Sequence, residues 1–298
     1  MTPTGLWPLF NLVRGRPVLG IFEITLKCNS ACGYCHLPHN QEQPKLSRAE
    51  IRRIFKALYA DGMRHLLIQG GEPLIRPDCL DILEDLSAMG FALTVVTNGT
   101  ALGRKAVERL NRLDLAIAVS LDTLDRATYH RIRGADQLPA VLQGIGLLEG
   151  FTGQRFVTCI LSRQNLTHAL DVLRFAKAQG LTPILGAYHW QAAGYGKADA
   201  GLIYDRAQAA QMFARALESG LIPAGYLSDY ARDTLTWLEG GKLAPCDAGS
   251  LSVVIDAMGN VSPCLGLPAA GNLAEHGLGQ ILATLDRQAI QDCSDKST

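Results

Sequence analysis

The chain carries no net charge and no long apolar run. Its 28 Lys and Arg residues balance 28 Asp and Glu residues, so nothing draws it toward nucleic-acid phosphates or an anionic membrane, and neither partner is expected. No stretch approaches the ~18–20 consecutive apolar residues that a membrane span requires. The opening Met-Thr-Pro-Thr lacks the charged-then-apolar pattern of a secretory signal, which makes a reducing, cytoplasmic location the expectation. In that compartment the eight cysteines read as ligands or core fillers rather than disulfides. A composition 48% hydrophobic and 19% charged over 298 residues gives room for one large domain and a small one.

Cysteine is where the sequence becomes specific. Cys28, Cys32 and Cys35 lie in the run Cys-Asn-Ser-Ala-Cys-Gly-Tyr-Cys just after an apolar, strand-like stretch. Thiolates are soft ligands that favour iron–sulfur clusters or zinc, and a C-x3-C-x2-C loop can wrap three of them around one cluster. Three ligands leave one iron open to a substrate or cofactor, whereas a cluster used only for electron transfer normally has four. A structural zinc site is the alternative, with His36 or His39 as its fourth ligand. Cys79 opens an amphipathic helix and Cys159 lies in a strand, so both read as small buried hydrophobes.

From about residue 19 to about residue 190 strand-like and helix-like segments alternate. The strand candidates are Leu19–Leu26, His65–Gln69, Phe91–Thr97, Leu115–Ser120, Phe156–Leu161 and Thr182–Tyr188, each short, apolar and often β-branched. The first helix is announced by Ser47-Arg48-Ala49-Glu50, a capping box. Such βα alternation predicts an α/β fold with a parallel sheet, helices outside it, and ligands at the carboxyl ends of the strands. The cysteine run and Gln69-Gly70-Gly71-Glu72-Pro73 both follow strands.

Those two motifs, in this order and about one βα unit apart, resemble the radical S-adenosylmethionine (SAM) superfamily, and Phe22-Glu23-Ile24-Thr25 resembles its first barrel strand. The resemblance implies a partial (β/α)6 radical SAM barrel over about two-thirds of the chain. It implies that Cys28, Cys32 and Cys35 ligate a [4Fe–4S] cluster whose open iron chelates SAM, and that Gly70, Gly71 and Glu72 meet the SAM amino group. Tyr34 matches a family position beside the adenine. Asn98, Ser120, Asp122, and Ser162 or Asn165 stand where family members touch the SAM carboxylate or ribose. On the residues alone, Asn98-Gly99 is equally a turn and Ser120-Leu121-Asp122 a helix entry.

Beyond the barrel, Gly194-Tyr195-Gly196-Lys197-Ala198 resembles a segment that leaves the barrel in members with a cysteine-rich extension. Cys246, a strand over Ser252–Asp256, a tight turn using Gly259-Asn260, a second strand and Cys264 predict a β-hairpin. A helix over Leu278–Ile290 then leads to Cys293. This resembles the Twitch or SPASM module, which implies an auxiliary [4Fe–4S] cluster on Cys246, Cys264 and Cys293, one cysteine short of a full set. The expected organisation is an N-terminal extension at 1–18, the barrel at 19–200, a helical linker at 201–240 and the small hairpin-plus-helix Twitch-like extension at 241–298.

The chemistry implied is reductive cleavage of SAM to a 5′-deoxyadenosyl radical that removes a hydrogen from the substrate, with an external one-electron donor such as flavodoxin or ferredoxin. An auxiliary cluster would favour a net oxidation or cross-link in peptide natural-product, cofactor or aminosugar biosynthesis. Substrate contacts are expected from Tyr188-His189-Trp190-Gln191, with His189 as a candidate catalytic proton acceptor, and from Tyr226–Tyr230. The short segment before residue 19 leaves no room for a folded leader-binding domain, which tilts the expectation from long-leader peptides. GTP cyclisation is disfavoured by the lack of a Gly-x-Gly-x-Arg-Arg-like tail. The competing class is a non-catalytic iron–sulfur or zinc-binding scaffold, in which Glu72 would be dispensable.

Overall fold

A computed structural model describes residues 15–35, 37, 46–189 and 199–296, with side chains described as far as residue 292. Six parallel strands run in chain order across its sheet: β1 (Leu19–Thr25), β2 (His65–Gly70), β3 (Ala92–Thr97), β4 (Leu115–Ser120), β5 (Arg155–Leu161) and β6 (Thr182–Ala187). They agree with the six predicted strands to within a residue at each end. In β2, β3 and β5 buried residues alternate with half-buried ones, so one face of the sheet is packed under helices and the other is more open.

Those helices are α1 (Arg48–Ala60), α2 (Cys79–Ala88), α3 (Arg104–Leu110), α4 (Arg126–Arg133), α5 (Leu138–Leu147) and α6 (Ala169–Ala178). The capping box of α1 forms as expected: Glu50 N–H donates to Ser47 Oγ, and Ser47 N–H donates to Glu50 Oε2 at 2.7 Å. Its apolar stripe, Ile51, Ile54, Phe55 and Leu58, is buried on the sheet, where the Phe55 ring lies 4.7 Å from that of Phe22 in β1. The βα units and their outer helices make the partial (β/α)6 barrel of the sequence reading.

Two further helices, α7 (Arg206–Glu218) and α8 (Tyr226–Leu238), fill the stretch expected to be a helical linker. They pack on each other, and α8 also lies against β6, covering the exposed edge of the sheet. The hairpin then returns to the opposite edge. Strand β7 (Ser252–Ile255) pairs parallel to β1, β8 (Asn260–Ser262) adds antiparallel to β7, and β9 (Gly271–Asn272) adds antiparallel to β8, giving one sheet of order β6-β5-β4-β3-β2-β1-β7-β8-β9. The extension thus continues the barrel sheet.

Two local expectations need correction. The hairpin turn uses one left-handed residue, Gly259 (φ +86°), and Asn260 instead begins β8. Asp256 makes this possible, because its Oδ1 accepts from the amides of Met258 and Asn260 and closes the turn without a second positive φ. The single helix expected over Leu278–Ile290 is two, α9 (Leu278–Ala283) and α10 (Arg287–Lys296). Thr284 Oγ1 donates to the carbonyls of Ala270 and Ile281, and Asp286 Oδ1 accepts from Ala289 N–H to start a new helix. Apolar spacing alone did not reveal this break, because side-chain bonds to the backbone compete with continued helix.

Candidate active site

The cysteine loop leaves β1 at the carboxyl end of the sheet and rests against the last turn of α4. Ala31 N–H donates to Arg133 O and Gly33 N–H to Ile132 O, both at 2.9 Å, so the loop uses carbonyls that the helix end would leave without partners. Gly134 ends α4 in the left-handed region (φ +68°), and a Cβ there would lie 2.4 Å from the Ala31 carbonyl oxygen. Cys32 is buried, while Cys28 and Cys35 are partly exposed. Three donors are directed at two of the sulfurs: Ser30 N–H at Cys28 Sγ (3.4 Å), Asn98 Nδ2 also at Cys28 Sγ (4.0 Å), and Arg133 Nη1 at Cys32 Sγ (3.9 Å). Burial raises the pKa of the Cys28 thiol.

The Gly70-Gly71-Glu72 segment lies along the same loop. Gly71 N–H donates to Thr25 O and Glu72 N–H to Lys27 O, each at 2.8 Å. A Cβ on Gly70 (φ +135°) would meet Thr25 O at 2.1 Å, and one on Gly71 would meet Lys27 O at 1.8 Å. The close approach that demands these glycines is therefore to the backbone leading into Cys28, a partner that the motif itself does not announce. Glu72 is fully buried, and its carboxylate accepts from Leu74 N–H (3.0 Å), Thr97 Oγ1 (2.7 Å) and Asn98 N–H (2.6 Å). Burial outweighs these bonds and raises its pKa. Its carboxylate ties β2 to the end of β3.

Further round the sheet the predicted residues divide. Asn98 Nδ2 donates to Asn29 Oδ1 (2.8 Å) and Ser30 Oγ (3.2 Å), so this residue grips the cysteine loop. Asp122 is fully buried: Oδ1 accepts from Ile160 N–H, and Oδ2 meets the Tyr34 hydroxyl at 3.0 Å and Arg133 Nη2 at 2.7 Å. The Tyr34 ring has the Arg133 guanidinium 5.5 Å from its centroid and the Tyr188 ring at 6.0 Å. Ser120 is half-buried at the end of β4. Ser162 and Asn165 are fully buried and bonded to each other, and Asn165 Nδ2 donates to the carbonyls of Asp122 and Ile160. The pair straps β4 to β5 beneath the site, and its exposed surface is nil. His189 is exposed at the end of β6, its ring 4.9 Å from that of Trp237. Trp190 to Ala198, including the Gly194–Ala198 motif, lies outside the described residues, as do His36 and His39.

In the extension, Cys246 is exposed and lines a cavity of about 780 Å³ together with Lys242, Ser250 and Arg287. Cys264 is partly buried, and its Sγ accepts from Gly266 N–H at 3.3 Å. The side chain of Cys293 lies outside the described residues. Among the described residues, no three His, Cys, Asp or Glu side chains converge as the ligands of a single metal ion.

Arg133 and Tyr129 are the site residues that the sequence did not single out. The contact of Arg133 with Asp122 is ionic but off the line of its N–H, and Nε, Nη2 and the buried Tyr129 hydroxyl have no hydrogen-bond partner among the described residues. Burial opposes the charge on Arg133, yet Asp122, Tyr34, Cys32 and Tyr129 together outweigh it and hold its pKa above the ordinary value. Burial pushes the Tyr129 hydroxyl up to about 12. A buried donor without a partner costs about 1–3 kcal/mol, so Arg133 Nε and the Tyr129 hydroxyl, unlike the ion-paired Nη2, are candidates to meet an acceptor. A buried Arg paired across 11 residues to Asp122 has no periodic signature in a sequence.

A sequence profile described as the Radical SAM superfamily matches residues 22–176, just over half of the chain. The chain belongs to that superfamily. Among curated relatives, a probable GTP 3′,8-cyclase of Pyrococcus horikoshii is 33% identical over 166 residues, covering 54% of this chain and 53% of the relative. The GTP 3′,8-cyclase of Paracoccus denitrificans is 38% identical over 130 residues, 41% of this chain and 38% of the relative. The matches thus span about half, or less, of these relatives. Streptococcus suis SuiB, solved with its precursor peptide SuiA, superposes with a TM-score of 0.74 at 17% identity over 94% of this chain and 68% of its own. The structure of anSMEcpe with bound AdoMet gives a TM-score of 0.72 at 16% identity over 93% and 83%. These two proteins share the fold over nearly the whole chain. This superfamily member has no helix, among the described residues, long and apolar enough to cross a membrane.

Proposed function

We propose that Cys28, Cys32 and Cys35 hold a [4Fe–4S] cluster that chelates SAM, and that the chain is a radical SAM oxidoreductase of the SPASM or Twitch type acting on a peptide or small molecule. The observation that carries this is the loop itself, three cysteines at the carboxyl end of β1 with N–H donors directed at Cys28 and Cys32 Sγ. Donors of that kind suit thiolate ligands of a cluster, and a four-iron cluster takes its thiolates on separate corners, farther apart than the ligands of one zinc ion. The bound cluster supplies one electron that cleaves SAM to methionine and a 5′-deoxyadenosyl radical, for which a flavodoxin or ferredoxin would be the donor.

The protein's own contribution is positioning and exclusion of water. Arg133, whose buried Nε has no hydrogen-bond partner among the described residues, would offer that donor to the cofactor, and Tyr34, set against Asp122 and Tyr188, offers an aromatic wall. Asn98, Asp122 and Glu72 would act by fixing the loop ends, as would Gly70 and Gly71, whereas Ser162 and Asn165 would strap the strands below. His189, exposed at the mouth beside Trp237, would be placed to take a proton from an oxidised substrate. An auxiliary [4Fe–4S] cluster would use Cys246, Cys264 and Cys293 beside the cavity of the extension, with 241–298 as its module.

GTP cyclisation is the second reading, favoured by the names of the curated relatives. The two separate by experiment. Anaerobic reconstitution, iron counting and a dithionite-driven assay for 5′-deoxyadenosine should give about eight irons and SAM cleavage, falling to about four irons and no cleavage in a Cys28/Cys32/Cys35→Ala triple variant. Consumption of GTP in the same assay would transfer the assignment to cyclisation, and zinc in place of iron would remove the enzyme reading.

A further inference from the structure

Gln137 stands immediately before α5, at the position where a side chain normally caps the helix, yet it makes no capping bond. Its amide turns instead to the cysteine loop, 107 and 108 residues earlier in the chain. Gln137 Oε1 accepts from Ser30 Oγ, and Gln137 Nε2 donates to the Asn29 carbonyl, both at 2.9 Å. Both ends of one amide are thereby spent on Asn29-Ser30, the two residues that follow Cys28. From the other side Asn98 Nδ2 grips the same pair through Asn29 Oδ1 and Ser30 Oγ, and Asn29 Nδ2 donates to Thr100 Oγ1 at 2.8 Å. Ser30 N–H, held between these two amides, is the donor directed at Cys28 Sγ.

We propose that Gln137 is a positioning residue of the cluster loop: its amide clamps Asn29-Ser30 against Asn98 and so keeps the Ser30 N–H on the Cys28 sulfur. This rests on the assignment of Cys28 as a cluster ligand. N–H donors to a ligating sulfur stabilise its charge and tune the potential of the iron behind it. A side chain that leaves its own helix cap for two bonds to a loop restrains that loop through protein contacts. Restricting the loop beforehand lowers the ordering cost of binding.

The test uses the full chain with Gln137→Ala, which removes both bonds, and Gln137→Glu, which keeps an acceptor for Ser30 but loses the donor to Asn29. Amide hydrogen exchange on the metal-free protein is expected to quicken about tenfold or more over residues 28–33 in Gln137→Ala, with a smaller change in Gln137→Glu and none in β3 or β5. After reconstitution, Gln137→Ala should hold the same iron as wild type, lose it to a chelator several-fold faster and show a shifted reduction potential. Unchanged exchange over 28–33, or exchange that quickens equally throughout the protein, overturns the clamp. Failure of the wild-type chain to take up iron would instead overturn the cluster assignment, and the metal-free exchange would still decide whether Gln137 holds the loop.

Discussion

The guanidinium of Arg133 lies 2.7 Å from the carboxylate of Asp122, with the two side chains 6% and 0% exposed. This pair joins the end of α4 to the loop after β4, directly under the cysteine loop. Removing one member of a buried ion pair leaves the other charged and desolvated, which costs about 3–5 kcal/mol, whereas removing both costs less. Arg133→Met should therefore destabilise the metal-free protein by about that amount, and Arg133→Met with Asp122→Asn should recover part of it. Urea unfolding of the two variants checks this, and a double variant less stable than the single would show that the pair is not coupled.

Glu72 carries a different expectation. As a residue meeting only the SAM amino group it would be dispensable for folding, but its carboxylate accepts three protein donors in a fully buried position. Glu72→Gln keeps the shape and turns an NH2 group toward at least one backbone N–H. A loss of about 1–3 kcal/mol is expected from the donor left unpaired. Chemical unfolding at neutral pH measures it, and wild-type stability would mean that the carboxylate is not bonded as described.

Most of the frame was legible because its signals are local. Six short apolar runs and the Ser47–Glu50 box announced strands and a helix start, and the cysteine spacing announced the loop. What escaped depends on contacts between distant residues. The break between α9 and α10 rests on Thr284 bonding to Ala270, and the single left-handed residue in the hairpin rests on Asp256. Arg133, Tyr129 and Gln137 acquire meaning only when α4 and α5 are folded against a loop about one hundred residues away. Asn165, predicted near a ligand, is drawn into the protein by two backbone carbonyls that no motif reveals.

Gly71 offers a test of the glycine motif itself. A Cβ there would stand 1.8 Å from Lys27 O and 2.9 Å from Cys28 N, both backbone atoms. No rotamer change can relieve that overlap, so the loop entering Cys28 must move. Gly71→Ala should cost about 2 kcal/mol or more and should lower iron retention after reconstitution along with stability. Substitution of Gly103, whose Cβ would meet nothing within 4 Å, is the control. Equal behaviour of the two alanine variants would show that the close packing of Gly71 on the loop is not real.

Acid should weaken the outer face of the barrel through Asp85. Its carboxylate takes Arg48 Nε at 2.5 Å and Nη2 at 3.0 Å, with Arg52 Nη1 at 3.2 Å, and the hydrogen bonds from Arg48 hold its pKa below the usual carboxylate value. A carboxyl group depressed in the folded state binds its proton more readily when unfolded. Its stabilisation is therefore fully present above the unfolded value of about 3.9 and is lost as pH falls through the folded one. Arg48 is 41% exposed, so solvent screening reduces the contribution to about 1 kcal/mol. Asp85→Asn should accordingly be less stable than wild type by about that amount at pH 7, and the gap should close below pH 4 and shrink in high salt. Unfolding free energies of both proteins at pH 7, 5 and 3 decide the matter, since a gap independent of pH would assign the loss to packing and not to the charge on Asp85.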